Sequence, residues 1–595
     1  MSENLLFSDR DVEFLLYEVL GVDTLCQYPG FSEHSRESFD MLLSGTRRFA
    51  RQKLLASHSI VDEDPPYLEN GKVVVPALIA EMVKAIIDMD FIAASRPESV
   101  GGIDLPISVY TMATCYLMAA NCSASGYTGL TLGAAHLVEK FGTEEQRERY
   151  MKPMYEGRWL GTMALTEPHA GSSLGDIRTS AKLQDAGHYL IAGSKIFISG
   201  GDHDICENIV HMVLGRIEGA PEGSAGVSLF LVPKFRIDEG KLVDNDVSVA
   251  GLIHKIGWKG LPSLAMNYGD EGACHGYLIG PAGRGLFCMF QMMNEARIMV
   301  GANGVSTAAV AYQESLNYAK ERPQGRALGS KGGPQINIVE HADVRRMLLR
   351  QKAIVEGGLS VVIATAKYSD VSAKSEDESE RAHAQLILDL LTPIAESFPA
   401  EKGYESNTLA LQIHGGYGYS SEYKPESWLR EQKLNSIHEG TTGIQSLDLL
   451  GRKVMSQGGK AMMAFAKLVQ GAIKRSASCG HTSWATELGQ ALQAVGEVTQ
   501  ALGALGMSGD PAAMLRHSAD YLDMFSTLTV AWQLLERASV AKEALDGGSD
   551  ERAFYEGKIH TAEYWFASEV PRISLLAAIC KNNDSSYTTM DVESF

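Results

Sequence analysis

The spacing of apolar residues changes character along the chain. From about Asp9 to Pro153 it is helical. Residues 77–87 repeat apolar positions at helical intervals, with Glu81 and Lys84 closing one face, and residues 110–120 are apolar nearly all round, as in a buried helix. Gly142 ends one helix, and Thr143 with Gln146 has the spacing of a capping box that opens the next. At Gly157 the period shortens. Residues 159–166, 188–191, 209–214 and 227–232 are short β-rich runs separated by Gly, Asp, Ser and Pro clusters, which predicts an antiparallel sheet or small barrel to about Gly280. From Gly285 helical periodicity returns in residues 287–320, 341–368, about 382–411 and 428–437, completing a bundle. The charge run 374–381 reads as a solvated loop between helices. Beyond Gly451 four more helical stretches follow, 461–474, 485–505, 511–545 and 552–579, with no fixed-period repeat and no residue assigned to chemistry. Their expected role is packing, within the chain or across a subunit interface. The pattern predicts an α+β multidomain chain: an N-terminal all-α domain (1–156), a middle antiparallel β domain (157–284), a C-terminal four-helix bundle (285–450) and an additional α-helical extension (451–595).

Length supports that division, since 595 residues exceed one domain at roughly 100–200 residues per domain. A formal charge of −20 disfavours nucleic acid or an anionic membrane as the main partner, because both reward clustered Lys and Arg. An anionic ligand must then be met by a few local cations. Eight scattered cysteines with no C-x-x-C pair read as reduced thiols. Residues 1–13 carry Glu3, Asp9 and Asp11 and no basic region, unlike a signal peptide, and no apolar run spans a bilayer. A cytoplasmic location is expected.

Neither Gly283-Arg284-Gly285 nor Gly416-Tyr417-Gly418 is completed by a third glycine after a strand, so a Rossmann site is not expected. There is no G-x-x-x-x-G-K-[ST] loop. His438-Glu439 begins like a zinc motif, but Thr442 stands where the second histidine is needed, and no metal site is expected. The stretch that does suggest chemistry is residues 437–445. Gly440 and Gly443 let the backbone approach a ligand, Thr441 and Thr442 supply hydroxyls, and Glu439 is a general-base candidate if an apolar cover raises its pKa. Alone, the stretch reads equally as a surface carboxylate at a helix end with Gly440 as its stop.

With this segment in an α, then β, then bundle order, the chain resembles the flavin-dependent acyl-CoA dehydrogenases over about residues 80–450. Residues 165–172 (Leu-Thr-Glu-Pro-His-Ala-Gly-Ser) look like the family's T-E-P-x-A-G-S segment. The resemblance implies that Met163, Leu165 and Thr166 contact the flavin and Ser172 the CoA portion. Residues 195–200 resemble the family's K-x-W-I-T-N strand, with Phe197 for the tryptophan, Ser199 for the threonine and Gly200 for the asparagine; Phe197 still offers a stacking face and Ser199 a hydroxyl. Asn294-Glu295-Ala296-Arg297 is similar to the helix whose arginine sits on the substrate side, implying substrate roles for Asn294 and Arg297. Some members carry the base just before that arginine, where this chain has Ala296; Glu295 lies about 100° away on the helix.

Arg322 opens a loop resembling the family's Arg-x-x-Phe-Gly, whose arginine meets the pyrophosphate-adenosine half of FAD from a neighbouring subunit. Gly325 and Arg326 replace the Phe-Gly pair, and Ala342 stands where a glutamine is expected. Residues 412–418 resemble Q-x-x-G-G-x-G, which implies FAD contacts at Gln412, Gly415 and Gly416, joined by Thr441 and Gly443, with Gly440 on the substrate. By the same resemblance Glu439 removes the α-proton of an acyl-CoA while the β-hydrogen passes as hydride to flavin. A flavin ribityl hydroxyl and the Glu439 amide polarise the thioester carbonyl. The implied substrate is a medium- to long-chain fatty acyl-CoA of β-oxidation and the acceptor an electron-transferring flavoprotein. Alternatives are a 3-methylthiopropanoyl-CoA dehydrogenase, an acyl-CoA oxidase using O2, and a non-catalytic nucleic-acid-binding relative. The extension resembles that of a longer subgroup, which implies a homodimer, with a tetramer as the other outcome.

Overall fold

The computed structural model describes residues 3–290, 293–330 and 332–595, so part of the expected helix 287–320 lies outside the described residues. The chain forms two compact units, one of residues 42–105 and 116–296, the other of residues 1–41, 106–115 and 297–595.

The first unit is organised by a mainly antiparallel sheet. Its strands are β3 (Leu160–Ala164), β4 (Ser180–Leu183), β5 (Tyr189–Ser199), β6 (Ile209–Ile217), β7 (Val227–Pro233), β10 (Val247–Ile253), β11 (Ser263–Tyr268) and β12 (His275–Ile279), after β1 (Tyr67–Glu69) and β2 (Lys72–Val74) and flanking the β8 (Phe235–Asp238) and β9 (Lys241–Asp244) hairpin. The order is β10-β11-β5-β12-β7-β6-β3, with β4 against β5 and β6. β3 and β4 run parallel to β6, a pairing that side-chain period cannot announce. β7 is buried throughout, as its unbroken apolar run anticipates. Ala134, Leu137 and Val138 of the helix Ile107–Phe141 share a core with Tyr150, Met154, Met212 and Leu229. Gly161 permits that approach, since a Cβ there would lie 2.6 Å from the Ala134 methyl. The helix breaks at Asn121 (φ −161°), whose side chain accepts from the Ala124 amide (3.1 Å) and so restarts the second half as an N-cap does. The expected capping box is present: Thr143 Oγ1 accepts from the Gln146 amide (3.2 Å) and Gln146 Oε1 from the Thr143 amide (2.8 Å). The all-helical expectation for the N-terminal stretch missed the β1–β2 hairpin. Its signal was Asn70-Gly71, both at positive φ (50° and 75°), the preferred chemistry of a tight hairpin turn.

The second unit is helical. Helices Met293–Glu321 (from residue 297), Ala342–Lys374 and Glu378–His414 form its centre, and the shorter Pro425–Gln432 and Thr442–Asp448 lie after them. Of the charge run expected to be a loop, only residues 375–377 separate two helices; Asp377 caps the second through the Ser379 amide (2.7 Å). The extension consists of Lys460–Ser478, Thr482–Met507, Pro511–Leu515, Ser518–Asp546, Arg552–Ser568 and Arg572–Asn582. It shares one core with the bundle: Ile354, Leu391 and Phe398 pack with Phe465, Phe525, Trp532 and Trp565. The chain's first residues join it, with Phe14 against Val540 and Tyr555. Asp11 there pairs with Arg537 and Lys558, and Glu356 with Lys558 (2.8 Å) and Lys352.

Candidate active site

The second unit brings Glu439, Gly440, Arg297 and two carboxylates that the sequence did not single out, Glu396 and Asp448, into one cluster. Helix Met293–Glu321 crosses helix Glu378–His414 on small residues. A Cβ on Gly301 would lie 2.0 Å from the Ala395 carbonyl oxygen, and one on Gly304 2.8 Å from the Pro399 carbonyl carbon. One turn before Gly301, that crossing delivers Arg297 to Glu396, with Nε 3.6 Å from Oε2. Arg297 Nη1 also donates to Asp448 Oδ2 at 2.5 Å, and Asp448 Oδ1 takes Arg452 at 2.6 Å. Pro393 and Pro399 lie inside the same helix, each withholding a donor from the carbonyl four residues before it, and the carbonyls of Pro399 and Ala400 accept from Gln432 Nε2 (2.9 and 3.2 Å).

Glu439 and Gly440 form a turn between the 3-10 segment Lys433–Ser436 and helix Thr442–Asp448. Gly440 takes φ +85°, and its carbonyl accepts from the buried Gln445 Nε2 (2.9 Å). Thr442 Oγ1 donates to Glu401 (2.6 Å). Among the described residues the Glu439 amide donates to no partner. The Glu439 side chain is open to solvent, yet surrounding protein raises its carboxyl above the ordinary range against the opposing charge of Arg297. Accessibility and desolvation describe different things here: the carboxylate lies within reach of a small molecule but in a poorly hydrated setting.

Arg297, expected on the substrate side, is buried and engaged by carboxylates. Its field therefore acts on Glu439. In the first unit Glu295 meets His136 (3.1 Å) and so is committed away from Arg297. Asn294 and Gly443 lie on the surface or partly so.

The second unit also holds a cradle lined by Tyr318, Arg322, Gln324, His414, Gly415 and Gly416, a cavity of about 500 Å³. Gly415 sits at φ +60°, and no atom would lie within 4 Å of a Cβ on either glycine. Arg322 stands 5.9 Å from the Tyr417 ring centre, and exposed Gln412 lies just ahead of the glycines. A fixed fork of donors beside bare backbone and aromatic faces suits a phosphate joined to a planar base.

The first unit carries the other expected contacts. Phe197 is 61% exposed and adopts φ +60°, where β5 and β11 slip register between Leu264 and Met266, so a bulge turns the ring outward. Thr162 Oγ1 donates to the Ser199 carbonyl (2.6 Å), tying β3 to the end of β5. Lys195 is buried and donates to the Leu165 carbonyl (3.0 Å) and Glu167 Oε1 (2.8 Å); Glu167 also accepts from the Arg178 and Thr179 amides (2.7 and 2.9 Å). This node fixes the Leu165–Thr166 segment to the strand of Phe197. Met163 and Thr166 are half-buried and Ser172 is exposed.

Comparison with known proteins matches the whole length. Residues 36–158 match the domain described as acyl-CoA dehydrogenase, N-terminal; residues 162–270 the middle domain; residues 283–455 the C-terminal domain; and residues 460–591 acetyl-CoA dehydrogenase C-terminal like. A 3-methylmercaptopropionyl-CoA dehydrogenase of Ruegeria pomeroyi is 36% identical over 94% of this chain and 95% of its own. A broad-specificity linear acyl-CoA dehydrogenase of Mycobacterium tuberculosis is 33% identical over 98% and 99%. Among solved structures, a Bacillus anthracis acyl-CoA dehydrogenase complexed with FAD superposes with TM-score 0.74 at 22% identity, covering 96% of this chain and 91% of that one.

Proposed function

The chain belongs to the acyl-CoA dehydrogenase family, oxidoreductases acting on a CH–CH bond of acyl-CoA, and from that premise we propose a specific division of labour. Glu439 is the base that removes the α-proton of an unbranched acyl-CoA, and FAD is the cofactor. The observation that carries this is the Glu439 turn: an accessible carboxyl raised by its surroundings, beside its own unpaired amide.

The residues present fit FAD. In the second unit Arg322, Gly415 and Gly416 offer donors and bare backbone suited to its phosphates, with Gln412 beside them; in the first unit, taken by itself, Thr166, Phe197 and Ser199 offer hydroxyls and an outward ring face suited to a flavin. When bound, FAD supplies the hydride acceptor. The chain's part is proton handling and polarisation. The Glu439 amide donates to the thioester carbonyl, which acidifies the α-carbon. Glu439 then accepts the proton, an act that its raised pKa favours.

The expected substrate is a linear acyl thioester of medium to long tail. The 3-methylthiopropanoyl tail is unbranched as well, and the Ruegeria relative supports it as a second reading. Turnover across a panel of straight-chain acyl-CoAs with 3-methylthiopropanoyl-CoA ranks the two. The acceptor is an electron-transferring flavoprotein; stoichiometric peroxide on turnover would make the protein an oxidase instead. Because the extension is packed into its own chain's bundle core, a homodimer is expected, and a tetramer by light scattering would contradict it.

Glu439→Gln retains FAD and binds acyl-CoA but reduces the flavin about 10²–10⁴-fold more slowly in anaerobic stopped-flow. Reduction at the wild-type rate would remove Glu439 from its role.

A further inference from the structure

We propose that Glu396 is a positioning residue for the dehydrogenation, a buried carboxyl that underlies the Glu439–Gly440 turn and shares the charge of Arg297 with Glu439 and Asp448. The inference rests on the reading of Glu439 as the base.

Glu396 is 1% exposed, and neither of its carboxyl oxygens has a hydrogen-bond partner among the described residues. Its surroundings nonetheless point at the site. A Cβ on Gly440 would lie 3.1 Å from Oε1, so this carboxyl is the floor of the catalytic turn. Arg297 Nε, 3.6 Å from Oε2, also lacks a hydrogen-bond partner. The charged groups facing Glu396 come from three elements: Arg297 from helix Met293–Glu321, Glu439 from the turn, and Asp448 from helix Thr442–Asp448, itself backed by Arg452.

Arg297 faces all three carboxyl groups while Arg452 meets Asp448 alone, and the structure ranks them. Burial would raise Asp448, but its bond to Arg297 holds it below the ordinary range, so it is the ionised partner. Burial pushes Glu396 well above the carboxylate range; Arg297 opposes this, while Glu439 and Asp448 reinforce it. On this proposal Glu396 carries a proton while Glu439 works, and fills the space under Gly440 without adding charge. When alkaline pH removes that proton to solvent, a negative charge appears beneath the turn. It draws on Arg297 and opposes the negative charge that develops on the thioester carbonyl, so proton abstraction slows.

The test is the pH profile of flavin reduction by octanoyl-CoA in anaerobic stopped-flow, for wild type, Glu396→Gln, Glu396→Met and Glu439→Gln. The wild type is expected to rise as Glu439 deprotonates and to fall about tenfold on the alkaline side as Glu396 ionises. Glu396→Gln, neutral at every pH, keeps FAD and loses the alkaline fall relative to its own neutral-pH rate. Glu396→Met, whatever its neutral-pH rate, also shows no alkaline fall, which separates the ionisation from the shape. A wild-type profile without an alkaline fall, or a Glu396→Gln profile that retains it, overturns the proposal, and the wild-type profile decides even if a variant fails to fold. Glu439→Gln reports on the premise separately: reduction at the wild-type rate defeats the base assignment whatever Glu396→Gln does.

Discussion

Replacing Gly440 by alanine tests whether the geometry of the turn, and not just the presence of Glu439, sets the rate. At φ +85° an L side chain costs about 1–2 kcal/mol. The added methyl would meet Gln445 Nε2 at 2.8 Å and Glu396 Oε1 at 3.1 Å. Neither gives way freely. Gln445 is buried and its amide is held by the Gly440 carbonyl itself, so its retreat forfeits a hydrogen bond of about 0.5–1.5 kcal/mol. The two sum to about 1.5–3.5 kcal/mol, and relief comes most readily by tilting the turn and with it Glu439. If the misplacement is expressed in the barrier, flavin reduction slows by about 10–400-fold at 1.36 kcal/mol per decade. Anaerobic stopped-flow reads the rate, and flavin absorbance with thermal melting reads the fold. At Gly443 the nearest atom to an added Cβ is Thr441 Oγ1 at 3.9 Å, so Gly443→Ala should melt with the wild type. A Gly440→Ala enzyme that reduces flavin at the wild-type rate would show that the turn carries no such constraint.

Two further outcomes concern stability. Asp11→Ala removes the acid that joins the chain's first residues to Arg537 and Lys558, and leaves those buried cations short of a partner; urea melts should show a loss of about 3–5 kcal/mol, and a loss under 1 kcal/mol would contradict the buried-pair account. Glu167 shows a pH window of definite sign. Burial would raise its carboxyl, but Lys195 and the Thr179 and Arg178 donors bring it to about 2, so its stabilisation is full above the ordinary carboxylate pKa and disappears as pH falls toward 2. Lys195→Met removes the main cause, so acid unfolding followed by circular dichroism should begin at higher pH than in the wild type; an unchanged midpoint would refute the coupling.

How much of this was readable beforehand divides along a physical line. Local, periodic signals were legible: the capping box at Thr143 and Gln146, the helix at 77–87, the apolar β7, and the Glu-Gly-Thr segment all depend on neighbours within a few residues. The helix split after 568 had a visible breaker in Pro571, which the apolar pattern of 552–579 overrode in the reading. The Asn70-Gly71 turn was written plainly too, but strands of three residues are too short for a period to register. Long-range pairings such as β3 beside β6 left no mark in the pattern.

The same division explains why Glu439 stood out in the sequence and Glu396 did not. Glu439 announces itself through adjacent glycines and hydroxyls. Glu396 stands between Pro393 and Pro399 as an ordinary charged position on a helix, and its burial follows from the crossing of its neighbour Ala395 with Gly301, which lies on another helix and over ninety residues away in sequence. Asp448 owes its ionisation to that same crossing, through Arg297. The proposed base is thus local in sequence while the charges around it are assembled by packing. Substitutions at the small residues of the crossing should therefore alter flavin reduction without touching the Glu439–Gly440 turn, because they move Arg297, the cation that faces all three carboxyl groups.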